Sequence, residues 1–185
     1  MSDIQASIEG TADAPQATSA AVPTVDDIPV AHTPPGGYGD EFPPPILAGC
    51  IEPLAIGAPD LRGTWRVVSA TRGGAPVPDG DPLLGYTERI EQCGNRIVDC
   101  GGGTIADARA DGTEENGVHD VSVFDFTTPI HVVASYEDWV FVLRPVGLPG
   151  IEVTRRLDDD GHMIWTRPDM GGLRVVLERI TEPTF

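Results

Sequence analysis

The sequence contains no lysine: all twelve basic side chains are arginines, and the first of them is Arg62. Without lysine, the protein cannot form a lysine Schiff base with a substrate or anchor pyridoxal phosphate. It also lacks the lysine with which a P-loop contacts nucleotide phosphates. These enzyme classes are therefore excluded.

Positive charge is scarce as well. Acidic residues number 29 against the twelve arginines, so the formal net charge is −17 at pH 7. A chain of this charge repels the phosphate backbone of nucleic acids and anionic membrane surfaces. We therefore expect neither nucleic acid nor membrane as a partner.

Long apolar runs are missing too. No run approaches the roughly 20 residues that span a bilayer, and the first residues lack the basic and apolar regions of a signal peptide. These absences predict a cytoplasmic protein. The three cysteines, Cys50, Cys93 and Cys100, show no CxxC spacing, so we expect free or packed thiols, with a Cys93–Cys100 bridge as the alternative.

The usual fingerprints of catalytic and cofactor sites are absent from the sequence. It has no Gly-x-Ser-x-Gly elbow, no flavin or nicotinamide motif and no complete calcium loop. We expect no cofactor and no metal. A metal site formed by His119, His131 and His162 is a less favoured alternative, because histidines on strands are usually hydrogen-bonded or exposed.

Residues 1–59 form an acidic, proline-rich extension that holds ten of the eighteen prolines. Residues 1–25 have too little apolar content to order themselves, and we interpret them as a flexible leader or lid. Residues 26–59 carry more apolar side chains than a linker needs. They predict an arm that packs on the mouth or flank of the following domain; a loosely packed arm is the alternative.

Residues 60–182 read as short strands separated by tight turns. Alternation is clearest in residues 85–92, where one face carries Tyr86, Glu88, Ile90 and Gln92. The other face, with Thr87, Arg89 and Glu91, is expected to meet solvent. The pattern predicts an all-β fold: an antiparallel, eight- to nine-stranded up-and-down barrel, with a sandwich as the second choice.

The first strand opens with Gly63-Thr64-Trp65, and Arg179 lies near the end of the last strand. A Gly-x-Trp opening followed by a late arginine resembles the lipocalin-like (calycin) β-barrels. The resemblance implies that Trp65 closes the narrow end of the barrel and that Arg179 packs over it. It gives Gly63, Trp65 and Arg179 structural roles.

The function is expected inside the barrel, where a pocket has apolar walls and a few directing polar groups. We predict Glu88 and Gln92 as catalytic residues. One of the adjacent Arg155 and Arg156 must face inward or lie at a rim. A polar network that only stabilises the core is the alternative. The predicted substrate-binding residues are Tyr86, Ile90, His131, Trp139, Phe141, Met163 and Trp165.

A small barrel behind a proline-rich acidic arm is similar in architecture to the spirotetronate- and spirotetramate-forming [4+2] cyclases (Diels-Alderases) of bacterial polyketide biosynthesis. That resemblance implies a cofactor-independent intramolecular cycloaddition of a linear polyene tetramate or tetronate beneath an N-terminal lid. Such catalysis works by proximity and orientation, with Gln92, or a protonated Glu88, donating to the substrate carbonyls.

Two other functions stay open. One is an intracellular carrier or binding protein for an apolar small molecule, which needs the same pocket and no turnover. The other is an isomerase or dehydratase that uses a histidine. In each case the partner is an apolar small molecule, and the sequence allows a homodimer.

Overall fold

The structure is a computed structural model that describes residues 24–182, and every regular element in this range is a β-strand. None of these residues belongs to a helix long and apolar enough to cross a membrane. The strands are β1 (Gly63–Arg72), β2 (Ala75–Pro76), β3 (Thr87–Cys93), β4 (Arg96–Gly101), β5 (Thr104–Arg109), β6 (Val118–Val121), β7 (Pro129–Glu137), β8 (Val140–Pro145), β9 (Val153–Leu157), β10 (Met163–Arg167) and β11 (Leu173–Thr181).

All strand pairs are antiparallel, and the order around the sheet is β5-β4-β3-β1-β11-β10-β9-β8-β7-β6, with β2 beside β1. The two ends of this order approach each other. The Arg109 N–H donates to the Asn116 carbonyl, and the Gly112 N–H donates to the Ala134 carbonyl, both at 2.8 Å. The sheet is therefore a nearly closed up-and-down barrel, which confirms the predicted fold class.

The strand count exceeds the expected eight to nine. Ten strands follow the barrel path, and the two-residue β2 forms within the loop that follows β1. Each of the strands β3–β6 is only four to seven residues long. Tight turns thus divide the sheet more often than the alternation pattern indicated.

Trp65 lies at one end of the interior with no exposed surface. Its indole N–H donates to the Leu61 carbonyl at 2.7 Å, and the Arg179 guanidinium lies 4.7 Å from the ring centroid. Arg179 also donates to the Asp60 carbonyl at 2.7 Å. Gly63 has a φ of 122°, and a Cβ there would lie 2.6 Å from the Thr181 carbonyl oxygen, so only glycine fits. The packing of Arg179 over Trp65 is the contact that the lipocalin-like resemblance implies.

The arm lies on the flank of the barrel, across the outer faces of β3, β4 and β5. Its apolar side chains and those of the strands form an outer core, separate from the interior core. The outer core consists of Val25, Leu47, Cys50, Cys93, Val98, Cys100 and Ile105.

The predicted leader or lid, residues 1–25, lies almost wholly outside the described residues.

Arginines of the barrel donate hydrogen bonds to the backbone carbonyls of this arm. Proline has no N–H, so a proline-rich segment presents carbonyl acceptors with few donors. Arg96 donates to the carbonyls of Val25, Ile28 and Pro29 at 2.6–3.1 Å. The same guanidinium forms a buried ion pair with Asp107, with N–O contacts of 2.7 and 2.8 Å. The arm is thus held by charge-assisted hydrogen bonds as well as by apolar contact.

The expectation that the second face of β3 meets solvent is wrong. Glu91 has no exposed surface; it accepts the Leu47 N–H at 2.7 Å and pairs with Arg89 at 2.8 Å. Burial raises the pKa of Glu91 despite these partners. Arg89 donates to the Pro43 carbonyl at 2.6 Å. The polar face of this strand binds the arm, and alternation alone cannot distinguish that role from exposure to solvent.

The expectation of free or packed thiols holds for Cys100 and is wrong for Cys50 and Cys93, and the alternative Cys93–Cys100 bridge is wrong too. Cys50 of the arm forms a disulfide with Cys93 at the end of β3, and Cys100 is a buried free thiol. The bridge joins residues 43 positions apart, because the arm crosses β3 only in the folded chain. Disulfides persist mainly in oxidising compartments. The bridge therefore gives no support to a cytoplasmic location, which stays a prediction.

We expect Cys50→Ser to lower the free energy of unfolding by about 4 kcal/mol, because the disulfide no longer restricts the unfolded chain. Chemical denaturation with and without a reducing agent measures this change. The reductant should destabilise the wild type and leave Cys50→Ser unchanged. Equal stability of the oxidised and reduced wild type would contradict the bridge.

Trp65→Ala should lower the free energy of unfolding by roughly 3–5 kcal/mol, since it empties the closed end of the barrel. Trp139→Ala is the matched control, because Trp139 is 67% exposed and should change stability by no more than about 0.5 kcal/mol. Denaturant titration of both variants gives the comparison. Similar losses in the two variants would show that Trp65 does not close the barrel.

Candidate functional site

The inward face of β3 places the two predicted catalytic residues in the barrel, but both are already engaged. The Gln92 side-chain carbonyl accepts the Leu61 N–H at 2.7 Å, and its amide donates to the Pro59 carbonyl and the Tyr136 hydroxyl at 3.1 and 2.9 Å. Burial raises the pKa of Tyr136 to about 12, so its hydroxyl stays neutral. Gln92 therefore has no free donor and braces the segment that leads into β1.

Glu88 is paired with an arginine from the opposite wall. Arg155 lies on β9, four strands from β3 around the sheet, and only 5% of its surface is exposed. Its Nε and Nη2 donate to the two carboxylate oxygens of Glu88 at 3.2 and 3.0 Å. Of the adjacent arginines, Arg155 thus faces inward, and Arg156 is exposed. The ion pair spans the interior of the barrel.

Asp99 of β4 completes this group. Arg155 Nη2 donates to Asp99 Oδ2 at 2.6 Å, so two carboxylates share one guanidinium. Burial, with the Glu88 charge adding to it and Arg155 opposing it, raises the pKa of Asp99 to about 7. A carboxyl group of this pKa donates or accepts a proton near neutral pH. We call Glu88, Asp99 and Arg155 the interior polar cluster.

Two buried polar atoms beside the cluster have no hydrogen-bond partner among residues 24–182: Asp99 Oδ1 and the indole nitrogen of Trp165. The Arg155 guanidinium lies 5.7 Å from the Trp165 ring centroid. Buried polar groups in proteins are almost always paired with protein, water or ligand. Water or a bound molecule would therefore pair with one carboxyl oxygen and one indole donor here.

A surface cleft of about 530 Å³ opens at the end of the barrel near this cluster. Tyr86 lines the cleft and also packs against the interior core, and burial raises the pKa of its hydroxyl. The hydroxyl lies against Gly101, where a Cβ would collide with it. Tyr86 thus separates the cleft from the interior polar cluster. The other lining residues are Gly36, Tyr38, Gly39, Asp40, Phe42, Gly85, Thr87, Gly102, Gly103 and Phe126.

Apart from Tyr86, the predicted wall residues divide into two groups. Ile90, Phe141 and Met163 are buried in the interior core, and the partly buried Trp165 packs against it. These four surround the interior polar cluster with apolar surface. They lie on strands β3, β8 and β10, so the barrel brings together side chains that are distant in the sequence.

Two predicted wall residues do not face the interior. Trp139 is 67% exposed and lies between β7 and β8, with a φ of 65°, because the chain turns sharply there. His131 is exposed on the outer face of β7, opposite His119 of β6. The prediction that these two side chains face inward is therefore wrong. Trp139 lies in a turn, where strand alternation does not apply, and the sequence does not show which face of β7 points inward.

Sequence reasoning missed Asp99, and it left the choice between Arg155 and Arg156 open. β4 has apolar residues on both faces, because Ile97 points into the barrel and Val98 points under the arm. Its pattern therefore gave no sign that Asp99 faces inward. The adjacent arginines were the one available signal that a positive charge enters the barrel.

The three-histidine metal site does not form in the part of the chain that is described. His162 instead lies near Asp158 and Asp160, the one described group of three side chains that could hold a metal. Asp158 Oδ1 already accepts the N–H groups of Asp160 and His162 at 3.1 and 2.9 Å. These hydrogen bonds stabilise a hairpin turn, and the turn explains why the three side chains lie close together.

The chain matches no protein-family model, and no curated protein resembles it in sequence. The geometry of the barrel interior is therefore the basis for assigning a function.

The raised pKa of Asp99 predicts a pH-dependent stability. Between its ordinary value of 3.8 and about 7, the folded state holds a proton that the unfolded chain has released. Raising the pH through this window therefore lowers the free energy of unfolding, by up to about 1.4 kcal/mol per pH unit. Asp99→Asn should remove this contribution and leave that of Glu91, whose pKa burial also raises.

Denaturation from pH 4.5 to 8 tests the prediction, with Asp159→Asn as the control because Asp159 is exposed in a turn. The control should keep the wild-type slope. A slope in Asp99→Asn as steep as that of the wild type would contradict the assignment to Asp99.

Proposed function

We propose that the protein is a cofactor-independent cyclase that catalyses an intramolecular [4+2] cycloaddition of a linear polyene bearing a tetramate or tetronate head. One observation carries the proposal. Inside the barrel, Asp99 Oδ1 of the interior polar cluster and the indole N–H of Trp165, whose ring centroid lies 5.7 Å from the Arg155 guanidinium, both lack a partner among the described residues.

The chemistry of a cycloaddition suits these groups. The reaction transfers no proton and needs no nucleophile, so its catalyst must hold diene and dienophile in a reactive alignment. A protonated Asp99 and the Trp165 N–H would donate to two oxygens of the head group. Arg155 would add positive potential, and together they would draw electron density from an adjacent dienophile.

The apolar walls would bind the rest of the substrate. Ile90, Phe141 and Met163 surround the cluster and would contact the polyene. The substrate would enter from the cleft by displacing Tyr86, whose side chain lies between the cleft and the interior. Return of Tyr86 would exclude water and keep the folded conformer in place.

The roles differ from those predicted from the sequence. Glu88 would position Arg155, because both of its oxygens accept from that guanidinium. Gln92 would support the wall, because its amide is already committed. Asp99 and Trp165 would make the directing contacts.

Incubation with a linear polyene acyl tetramate or tetronate tests the proposal, with chromatography and mass spectrometry as the readout. We expect a cyclised product of unchanged mass. Trp165→Phe keeps the ring and removes the donor, and should lower the rate about tenfold or more. Trp139→Phe makes the same change at an exposed site and should leave the rate unchanged.

The rate should fall as the pH rises through about 7, because ionised Asp99 can no longer donate. Asp99→Asn retains a donor that does not titrate and should flatten the profile between pH 6 and 8. Substrate binding without conversion would instead favour a carrier. Equal rates for Trp165→Phe and the wild type would exclude the assigned site.

A further inference from the structure

The outer face of the β6–β7 hairpin carries a pair of histidines, on the side of the wall away from the interior core. His119 and His131 are directly opposite each other in the register, and both are exposed. Their Nδ1 atoms lie 2.7 Å apart, and their ring centroids are separated by 4.9 Å. Two nitrogens that can each carry a lone pair therefore converge on one point at the surface.

The protonation of His119 follows from its second nitrogen. Nε2 lies 2.6 Å from the Glu114 carbonyl oxygen, which only accepts, so Nε2 carries a proton. In the neutral ring, Nδ1 then has a free lone pair directed at His131. Proteins orient metal-bound imidazoles in this way, with the distal N–H donating to a backbone carbonyl.

We propose that His119 and His131 bind a divalent late transition-metal ion, such as Zn²⁺, through their Nδ1 atoms. Without metal, the Nδ1–H of a neutral His131 donates a hydrogen bond to the Nδ1 of His119. On binding, His131 changes to the tautomer with the proton on its other ring nitrogen. No net proton is released, and both Nδ1 lone pairs face the ion.

The distances agree with this assignment. A tetrahedral ion with bonds of 2.0–2.1 Å holds two nitrogens about 3.3 Å apart. The rings must therefore separate by about 0.6 Å, which small side-chain rotations allow because both residues are exposed. Imidazole ligands select zinc, copper and nickel over magnesium and calcium.

Acidic side chains next to His119 make the surface around the pair negative. Thr113, Glu114 and Glu115 line a cleft of about 590 Å³ together with His119. The carboxylates of Glu114 and Glu115 are exposed and take part in no ion pair among the described residues. The net charge of −17 also raises the local concentration of cations. Water would fill the remaining positions, because among the described residues no third histidine, cysteine or carboxylate atom is grouped with the two Nδ1 atoms.

Calorimetric titration of the chelator-treated full-length protein with Zn²⁺ tests the site. We expect one ion per chain and at least a tenfold loss of affinity in His119→Ala and in His131→Ala. The chain has only two other histidines, so His32→Ala and His162→Ala are matched controls and should bind as the wild type does. Circular dichroism checks that each variant is folded.

Thermal unfolding gives a second readout, because an ion that binds only the folded state raises the melting temperature. Zinc should raise it in the wild type and in both control variants, and not in His119→Ala or His131→Ala. No binding to the wild type would overturn the proposal. So would full affinity in the His119 and His131 variants, or a loss of affinity in His162→Ala, which would place the ion at the Asp158 turn.

Discussion

The charge of Arg155 inside the barrel is the constraint on which the candidate site depends. Burial of an isolated ion is costly, and removal of one partner of a buried pair typically costs about 3–5 kcal/mol. Arg155 reaches across the interior to Glu88 and Asp99, so the contacts of one side chain tie β9 to β3 and β4. Burial raises the pKa of Asp99, and the nearby Glu88 charge adds to this effect while Arg155 opposes it. The interior of the barrel therefore favours the protonated form of one of the two carboxyl groups that Arg155 contacts.

A second set of charges holds the arm outside the barrel. Arg89 and Arg96 point away from the interior and donate to carbonyls of the proline-rich arm, while Glu91 accepts a backbone N–H from it. The Cys50–Cys93 disulfide lies in the same outer core. The strands β3 and β4 thus carry polar residues on both faces, and those of each face have different partners. One face carries the candidate site, and the other binds the chain's own extension.

Much of the fold could be predicted from the sequence, and about half of the site. The alternation of residues 85–92 correctly placed Glu88, Ile90 and Gln92 inside, because every second residue of a strand faces the same way. The same argument failed for Arg89 and Glu91, since polarity does not reveal whether solvent or another segment covers a face. It also failed for Trp139, where a turn replaces the strand, and it had no basis for selecting Asp99.

The sequence by itself determined the all-β class, the antiparallel barrel and the enzyme classes excluded by the absence of lysine. These depend on composition and on a two-residue period, which are local properties. Only the tertiary structure decided that Arg155 joins Glu88 to Asp99, that Cys50 meets Cys93, and that His119 faces His131 on the outer wall. Such contacts depend on closure of the barrel, strand register and the path of the arm, which bring together residues far apart in the chain.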